Sequence, residues 1–148
     1  MPEAVVAITG ASGARYGVRL IEALAEAGWE MRLIVTREGA INLDLECGIT
    51  PKDLDSRFGV KLEDNDNLAA ISASGSARFD AYVICPASGT TIGKIAAGIS
   101  DNLATRSALV AMKERRKLIL VPRETPYSTP HLKAMANLSE WGVVILPA

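Results

Sequence analysis

The 148-residue chain predicts an α/β fold, a Rossmann-like three-layer sandwich with a mostly parallel sheet and helices on both faces. Three observations predict it. Continuous apolar runs recur at Ala4–Ile8, Met31–Val35, Ala81–Cys85, Leu118–Val121 and Val143–Leu146, as strands covered on both faces require. Segments with apolar residues at helical spacing separate most of them. Two of the runs end in loops of glycine and hydroxyl residues, Thr9-Gly10-Ala11-Ser12-Gly13 and Pro86-Ala87-Ser88-Gly89-Thr90-Thr91. In an open α/β sheet, ligands settle outside the carboxyl ends of the strands, where such loops lie.

Hydrophobic residues make up 49% of the chain, enough for one compact core, so residues 1–148 are expected to form a single domain. The net charge of −1 gives no general electrostatic reason to expect nucleic acid or an anionic membrane as a partner. Cys47 and Cys85 form no Cys-x-x-Cys, and His131 is the single histidine, so neither a disulfide framework nor a zinc site is favoured. A reducing cytoplasm fits that usage. No apolar stretch reaches membrane-spanning length, and the chain enters strand-like sequence at once, without a leader-like segment.

The first helix carries Val18, Leu20, Ile21 and Leu24 and is expected to stop at Gly28. Gly10 and Gly13 permit close backbone approach before it, and Ser12 offers a hydroxyl beside the free amides of the helix N-terminus, so this loop is the first candidate for binding a phosphate. The second strand ends at Thr36, which a right-handed crossover brings to the same sheet end. Glu38–Glu46 permits a helix, and Thr50-Pro51-Lys52-Asp53 starts a short helical turn. Glu63-Asp64-Asn65-Asp66 lacks ligand spacing and is expected to be a solvated loop, not a metal site. The hydroxyl-rich stretch Ile71–Ser76 could line a cavity or form a plain surface loop.

Ser88 and the residues after it repeat the opening device before a short helix from about Thr91 to Ala97, with Gly98 as its cap. Two such loops at one sheet edge converge on a single crevice and favour a nucleotide site. Cys85 is expected to pack in its strand. Asp101 caps a helix from Asn102 to about Arg116, with Arg106 in its second turn, and the run Lys113–Lys117 is expected to be a solvated helix end. Pro122-Arg123-Glu124-Thr125-Pro126 sets a cation and a carboxylate at a strand end, where α/β folds keep their chemistry. Thr129 as N-cap, Pro130 and Gly142 delimit a last helix. His131, in its first turn and without a recognisable partner in the sequence, is expected to be structural.

Several separated motifs, spread over nearly the whole chain, resemble those of the UbiX-like flavin prenyltransferases. They are Thr9-Gly10-Ala11-Ser12-Gly13-Ala14, Ser74-Gly75-Ser76, Cys85-Pro86-Ala87-Ser88, Asp101-Asn102-Leu103, Lys113-Glu114-Arg115-Arg116, Val121–Pro126 and Val144-Ile145-Leu146-Pro147. The resemblance implies a Rossmann-like flavoprotein that assembles as a homo-oligomer, commonly a dodecamer, with sites shared between subunits. It implies transfer of a dimethylallyl group from dimethylallyl phosphate to reduced FMN without a metal, the prenylated FMN serving a UbiD-type decarboxylase.

By position, the resemblance implies that Gly10, Ala11, Ser12, Thr36, Ser88, Thr91 and Arg106 bind the flavin, and that Ser74, Lys113, Arg123 and Glu124 handle the prenyl phosphate. Lys113 and Arg123 would neutralise the departing phosphate, Glu124 would pass a proton to or from it, and Ser74 would orient it. Two departures stand out. The chain has Cys-Pro-Ala-Ser where the family usually has Cys-Pro-Cys-Ser, and it ends at Ala148 where the family continues with a tyrosine-bearing segment and a further helix with a basic residue. The resemblance then implies either a shortened chain or a natural short relative whose phosphate site is incomplete or built differently. Two further readings stand beside the enzyme: an FMN-binding electron carrier or flavin chaperone that does not prenylate, and a non-catalytic assembly subunit using Trp29 or Trp141 at protein contacts.

Overall fold

The structure, a computed structural model, describes residues 1–148. Six strands, β1 (Glu3–Ile8), β2 (Glu30–Val35), β3 (Lys61–Glu63), β4 (Ala81–Ala87), β5 (Leu118–Pro122) and β6 (Val144–Ile145), form one sheet. Six helices accompany them: α1 (Ala14–Glu26), α2 (Arg37–Cys47), α3 (Pro51–Phe58), α4 (Gly89–Ala96), α5 (Leu103–Lys113) and α6 (Thr129–Glu140). The strand order is β3-β2-β1-β4-β5-β6 and every pair is parallel, so the sheet is parallel throughout.

Alternation along β1 shows why its sequence is continuously apolar. Ala4, Val6 and Ile8 face a layer containing Ile21 of α1, Leu43 of α2 and Leu54 of α3. Val5 and Ala7 face the opposite layer, with Ile92 of α4, Ala104 of α5 and Leu138 of α6. A strand buried on both faces has no position for a polar side chain. Gly17 lets α1 lie against the sheet, because a Cβ there would stand 2.6 Å from the Cys85 carbonyl oxygen. No helix is long and apolar enough to cross a membrane.

From β1 the chain winds outward to β3, then returns to place β4 on the other side of β1 and winds outward again to β6. The winding therefore reverses between β1 and β4. At such a switch point the two connecting loops leave in opposite directions and open a crevice at the carboxyl ends of the strands. The Gly10 and Ser88 loops flank it.

Three local expectations need correction. The acidic run Glu63–Asp66 is not merely a solvated loop: Glu63 belongs to β3, which sequence reading missed, and its half-buried neighbour Arg32 of β2 bridges Glu63 at 3.2 Å and Glu3 at 3.4 Å. Asn65 in that run caps α5 from outside, its carbonyl accepting from the Leu103 amide at 2.8 Å and its side chain from the Ala104 amide at 3.0 Å. The α5 N-cap is Asn102, in a reciprocal box with Thr105, whereas Asp101 pairs with Lys94 at 2.9 Å. The α6 N-cap is Ser128, one residue before the expected Thr129.

The basic run is a solvated helix end at Lys113, Glu114, Arg115 and Lys117, all exposed, but Arg116 departs from it. Helix α5 stops at Lys113, the chain turns through Arg115 at φ +54°, and Arg116 folds inward. Its guanidinium donates to the carbonyls of Gly75 and Ala77 and to the Tyr82 hydroxyl. Arginine suits this place because its planar fork can satisfy several acceptors at once.

Candidate active site

Thr9, fully buried at the end of β1, ties the two crevice loops together. Its hydroxyl donates to the Pro86 carbonyl at 2.7 Å and accepts from the Ser88 amide at 2.8 Å. The loops then start their helices differently. Ser88 is the N-cap of α4, its hydroxyl accepting from the Thr91 amide at 3.1 Å and pairing with the Thr91 hydroxyl at 2.8 Å. Thr36 caps α2 in the same way, accepting from the Gly39 amide at 3.0 Å.

Helix α1 has no such local cap. Gly13, at φ +109°, is its N-cap residue and offers no side chain. The amides of Gly13 and Ala14 instead donate to one carboxylate oxygen of Glu46, on the last turn of α2, both at 3.0 Å. Asn42, one turn earlier, donates to the Ala11 carbonyl at 3.2 Å. This revises the expectation of free amides awaiting a phosphate: the chain's own carboxylate occupies them, which matches the positive end of a helix to a negative charge. The Ser12 hydroxyl, not needed as a cap, lines the crevice.

Two adjoining cavities occupy the switch point. The larger, about 530 Å³, lies between the Gly10 and Ser88 loops and the segment after β5, with Arg123, Glu124, Tyr127 and His131 on its wall. The smaller, about 240 Å³, is lined wholly by polar residues and glycine, including Thr36, Thr91, Lys94 and Asn102. Gly10, Ser88 and Thr90 border both. Gly10 is needed here because a Cβ would come within 2.5 Å of the Glu38 Cβ. Arg106 lies one turn beyond Asn102 on α5, and its Nε is buried without a hydrogen-bond partner. A buried guanidinium nitrogen left unpaired is costly, and an anionic ligand would satisfy it.

The structure brings Gly10, Ala11, Ser12, Ser88, Arg123 and Glu124 to the larger cavity, and Thr36 and Thr91 to the smaller. Arg123 stacks over the Tyr16 ring, 5.6 Å from its centroid, which holds the cation beside Gly13. Ser74 and Lys113 lie elsewhere. The Ser74 hydroxyl pairs with Ser76 at 3.0 Å, and Lys113 pairs with Glu114 at 3.1 Å next to Gly75. The hydrogen bond and charge of Lys113 hold the Glu114 carboxyl below its ordinary range. Within one chain these two therefore form a second cluster, away from the cavity wall that bears Arg123.

His131 also reaches the cavity. Far from being only a helix residue, its imidazole lines the larger cavity, with Nδ1 3.7 Å from a Glu124 carboxylate oxygen. Sequence reading did not foresee this placement, nor the ties made by Thr9 and Glu46, whose partners are distant in sequence. Cys85 conforms to expectation: it is buried in β4, and burial pushes its thiol up to about 11. No group of three His, Cys, Asp or Glu side chains is placed to hold a metal ion.

A doubly wound parallel sheet with hydroxyl-bearing loops at its switch point defines a nucleotide-binding α/β protein. Residues 2–148 match the flavoprotein family model. The chain is 49% identical over 144 residues to flavin prenyltransferase UbiX of Thermoplasma acidophilum, covering 97% of this chain and 78% of that protein. It is 44% identical to flavin prenyltransferase UbiX of Archaeoglobus fulgidus, with the same two shares covered. Its fold superposes with a TM-score of 0.95 on the crystal structure of AnUbiX (PadA1) in complex with FMN and dimethylallyl pyrophosphate, at 35% identity, covering 99% of this chain and 77% of that one. The chain belongs to the UbiX-like flavin prenyltransferase family.

Proposed function

We propose that the chain joins a dimethylallyl group from dimethylallyl phosphate to reduced FMN, without a metal, and that the prenylated FMN serves a UbiD-type decarboxylase. The observation that carries this reading is the pair of joined cavities at the β1/β4 switch point, with Arg123 and Glu124 on the wall of the larger one. The residues present fit FMN: the unpaired buried Nε of Arg106 and the polar lining of the smaller cavity suit a phosphate, and the larger cavity is roomy enough for a ring. Gly10, Ala11, Ser12, Thr36, Ser88, Thr91 and Arg106 would hold it. When bound, reduced FMN supplies an electron-rich ring that captures the allylic group.

The chain's own side chains handle the leaving group. Arg123 neutralises phosphate as the carbon–oxygen bond breaks and its electron pair stays on oxygen. Glu124 gives that oxygen a proton. Ser74 and Lys113, remote from Arg123 within one chain, act in this reading at the site of a neighbouring subunit of a homo-oligomer. The test is Glu124→Gln. Prenyl transfer should fall at least about 100-fold while FMN affinity stays within about twofold, since general acid catalysis is worth that much. Ser12→Ala should instead weaken FMN. Unimpaired turnover by Glu124→Gln would overturn the assignment.

A further inference from the structure

The wall of the larger cavity holds a second titratable group that nothing above uses. His131 is the chain's single histidine. It is presented by the first turn of α6, whose N-cap Ser128 accepts from the His131 amide at 3.4 Å. Its imidazole lies against the start of α4. There the residue is Gly89, and a Cβ at that position would stand 2.5 Å from Nε2 and 2.7 Å from Nδ1. Only a residue without a side chain leaves the ring this berth. The ring edge then points Nδ1 at Glu124, 3.7 Å from its carboxylate oxygen, an ion-pair distance that a small rotation closes to a hydrogen bond. The imidazole is about one-third exposed, with a side-chain accessibility of 32%, so it touches both Glu124 and water.

We propose that His131 is the positioning residue of Glu124: it holds the carboxyl group toward the cavity and returns to it the proton spent on each departing phosphate. The inference rests on the prenyl-transfer reading. In the step, Glu124 gives its proton to the phosphate oxygen as the carbon–oxygen bond breaks, the bonding pair remaining on that oxygen. The Glu124 carboxylate then takes the proton on His131 Nδ1 while Nε2 takes one from a hydronium ion of the solvent, which leaves the ring as its other tautomer; exchange of the ring protons with water restores Nδ1–H, and the protein ends the turnover as it began. Imidazole suits this task because it gives a proton from one nitrogen while gaining one at the other. Glu124 is the carboxylate that pairs with the ring.

The solitary histidine makes the pairing directly observable. In ¹⁵N-labelled protein at fixed neutral pH, the imidazole signals belong to His131 alone, and replacing Glu124 by Gln should move them. In parallel, His131→Asn should bind FMN within about twofold of wild type and show an unchanged KM for dimethylallyl phosphate, yet turn over at least tenfold more slowly. Added imidazole should restore turnover to His131→Gly. Signals indifferent to Glu124→Gln overturn the pairing whatever the activity. Wild-type turnover by His131→Asn overturns the proton return. If wild-type protein loaded with reduced FMN makes no prenylated product, the functional reading fails and the proton return with it, while the imidazole signals still decide the pairing.

Discussion

The two crevice loops perform the same task by different means. The Ser88 loop carries its own cap, so three consecutive positions beyond it suffice to start α4. The Gly10 loop carries none, and α1 starts only because α2 comes alongside and lends Glu46 and Asn42. A self-capped loop is set by local sequence; a borrowed cap depends on tertiary packing. The first can change its contents without disturbing its neighbours, whereas the second ties the crevice to the seating of α2.

The largest expected effect follows from that seating. Gly39 packs directly on the Ile8 carbonyl, where a Cβ would fall well inside contact distance of backbone that cannot swing aside. Gly39→Ala should cost about 3 kcal/mol, measured by urea unfolding, and should weaken FMN as well. Glu46→Gln comes next, at about 1–2 kcal/mol, because it leaves an acceptor for the two amides but removes the negative charge at the positive end of α1. Ser88→Ala should cost about 1 kcal/mol, the worth of an ordinary N-cap, and leave α1 undisturbed. If Glu46→Gln and Ser88→Ala prove equal in their effect on amide exchange in α1, the distinction between the two loops fails.

A smaller, pH-dependent effect calibrates the scale. Asp53 closes the box at the start of α3, where the Thr50 amide donates to it at 2.8 Å, and this hydrogen bond holds its carboxyl below the ordinary range. A carboxyl group lowered on folding stabilises the native state above its unfolded pKa and loses that contribution as pH falls through the folded value. Asp53→Asn should therefore be less stable than wild type near neutrality, and the gap should close on acidification below about pH 4. A gap that widens in acid would contradict the sign.

The legibility of the chain in its sequence follows the same division between local and borrowed. Runs such as Ala81–Cys85 announce buried parallel strands because both faces demand apolar residues, and Ser88 announces its helix because cap and helix are adjacent. Six expected site residues, Gly10, Ala11, Ser12, Ser88, Arg123 and Glu124, meet in one cavity because strand ends in this topology must converge. Glu46 and His131 were not legible in this way: Glu46 meets Gly13, 33 positions away, only because α2 packs beside α1, and His131 meets Glu124, 7 positions away, only because the segment between β5 and α6 turns back. The inward turn of Arg116 was hidden for a related reason. Its acceptors are backbone carbonyls of Gly75 and Ala77, which leave no mark in a side-chain pattern.

The most direct test of the central claim is to incubate the protein anaerobically with reduced FMN and dimethylallyl phosphate and weigh the released flavin. The account predicts a flavin heavier by one dimethylallyl group. Unmodified FMN, recovered from protein shown to bind it, would contradict prenyl transfer by this chain.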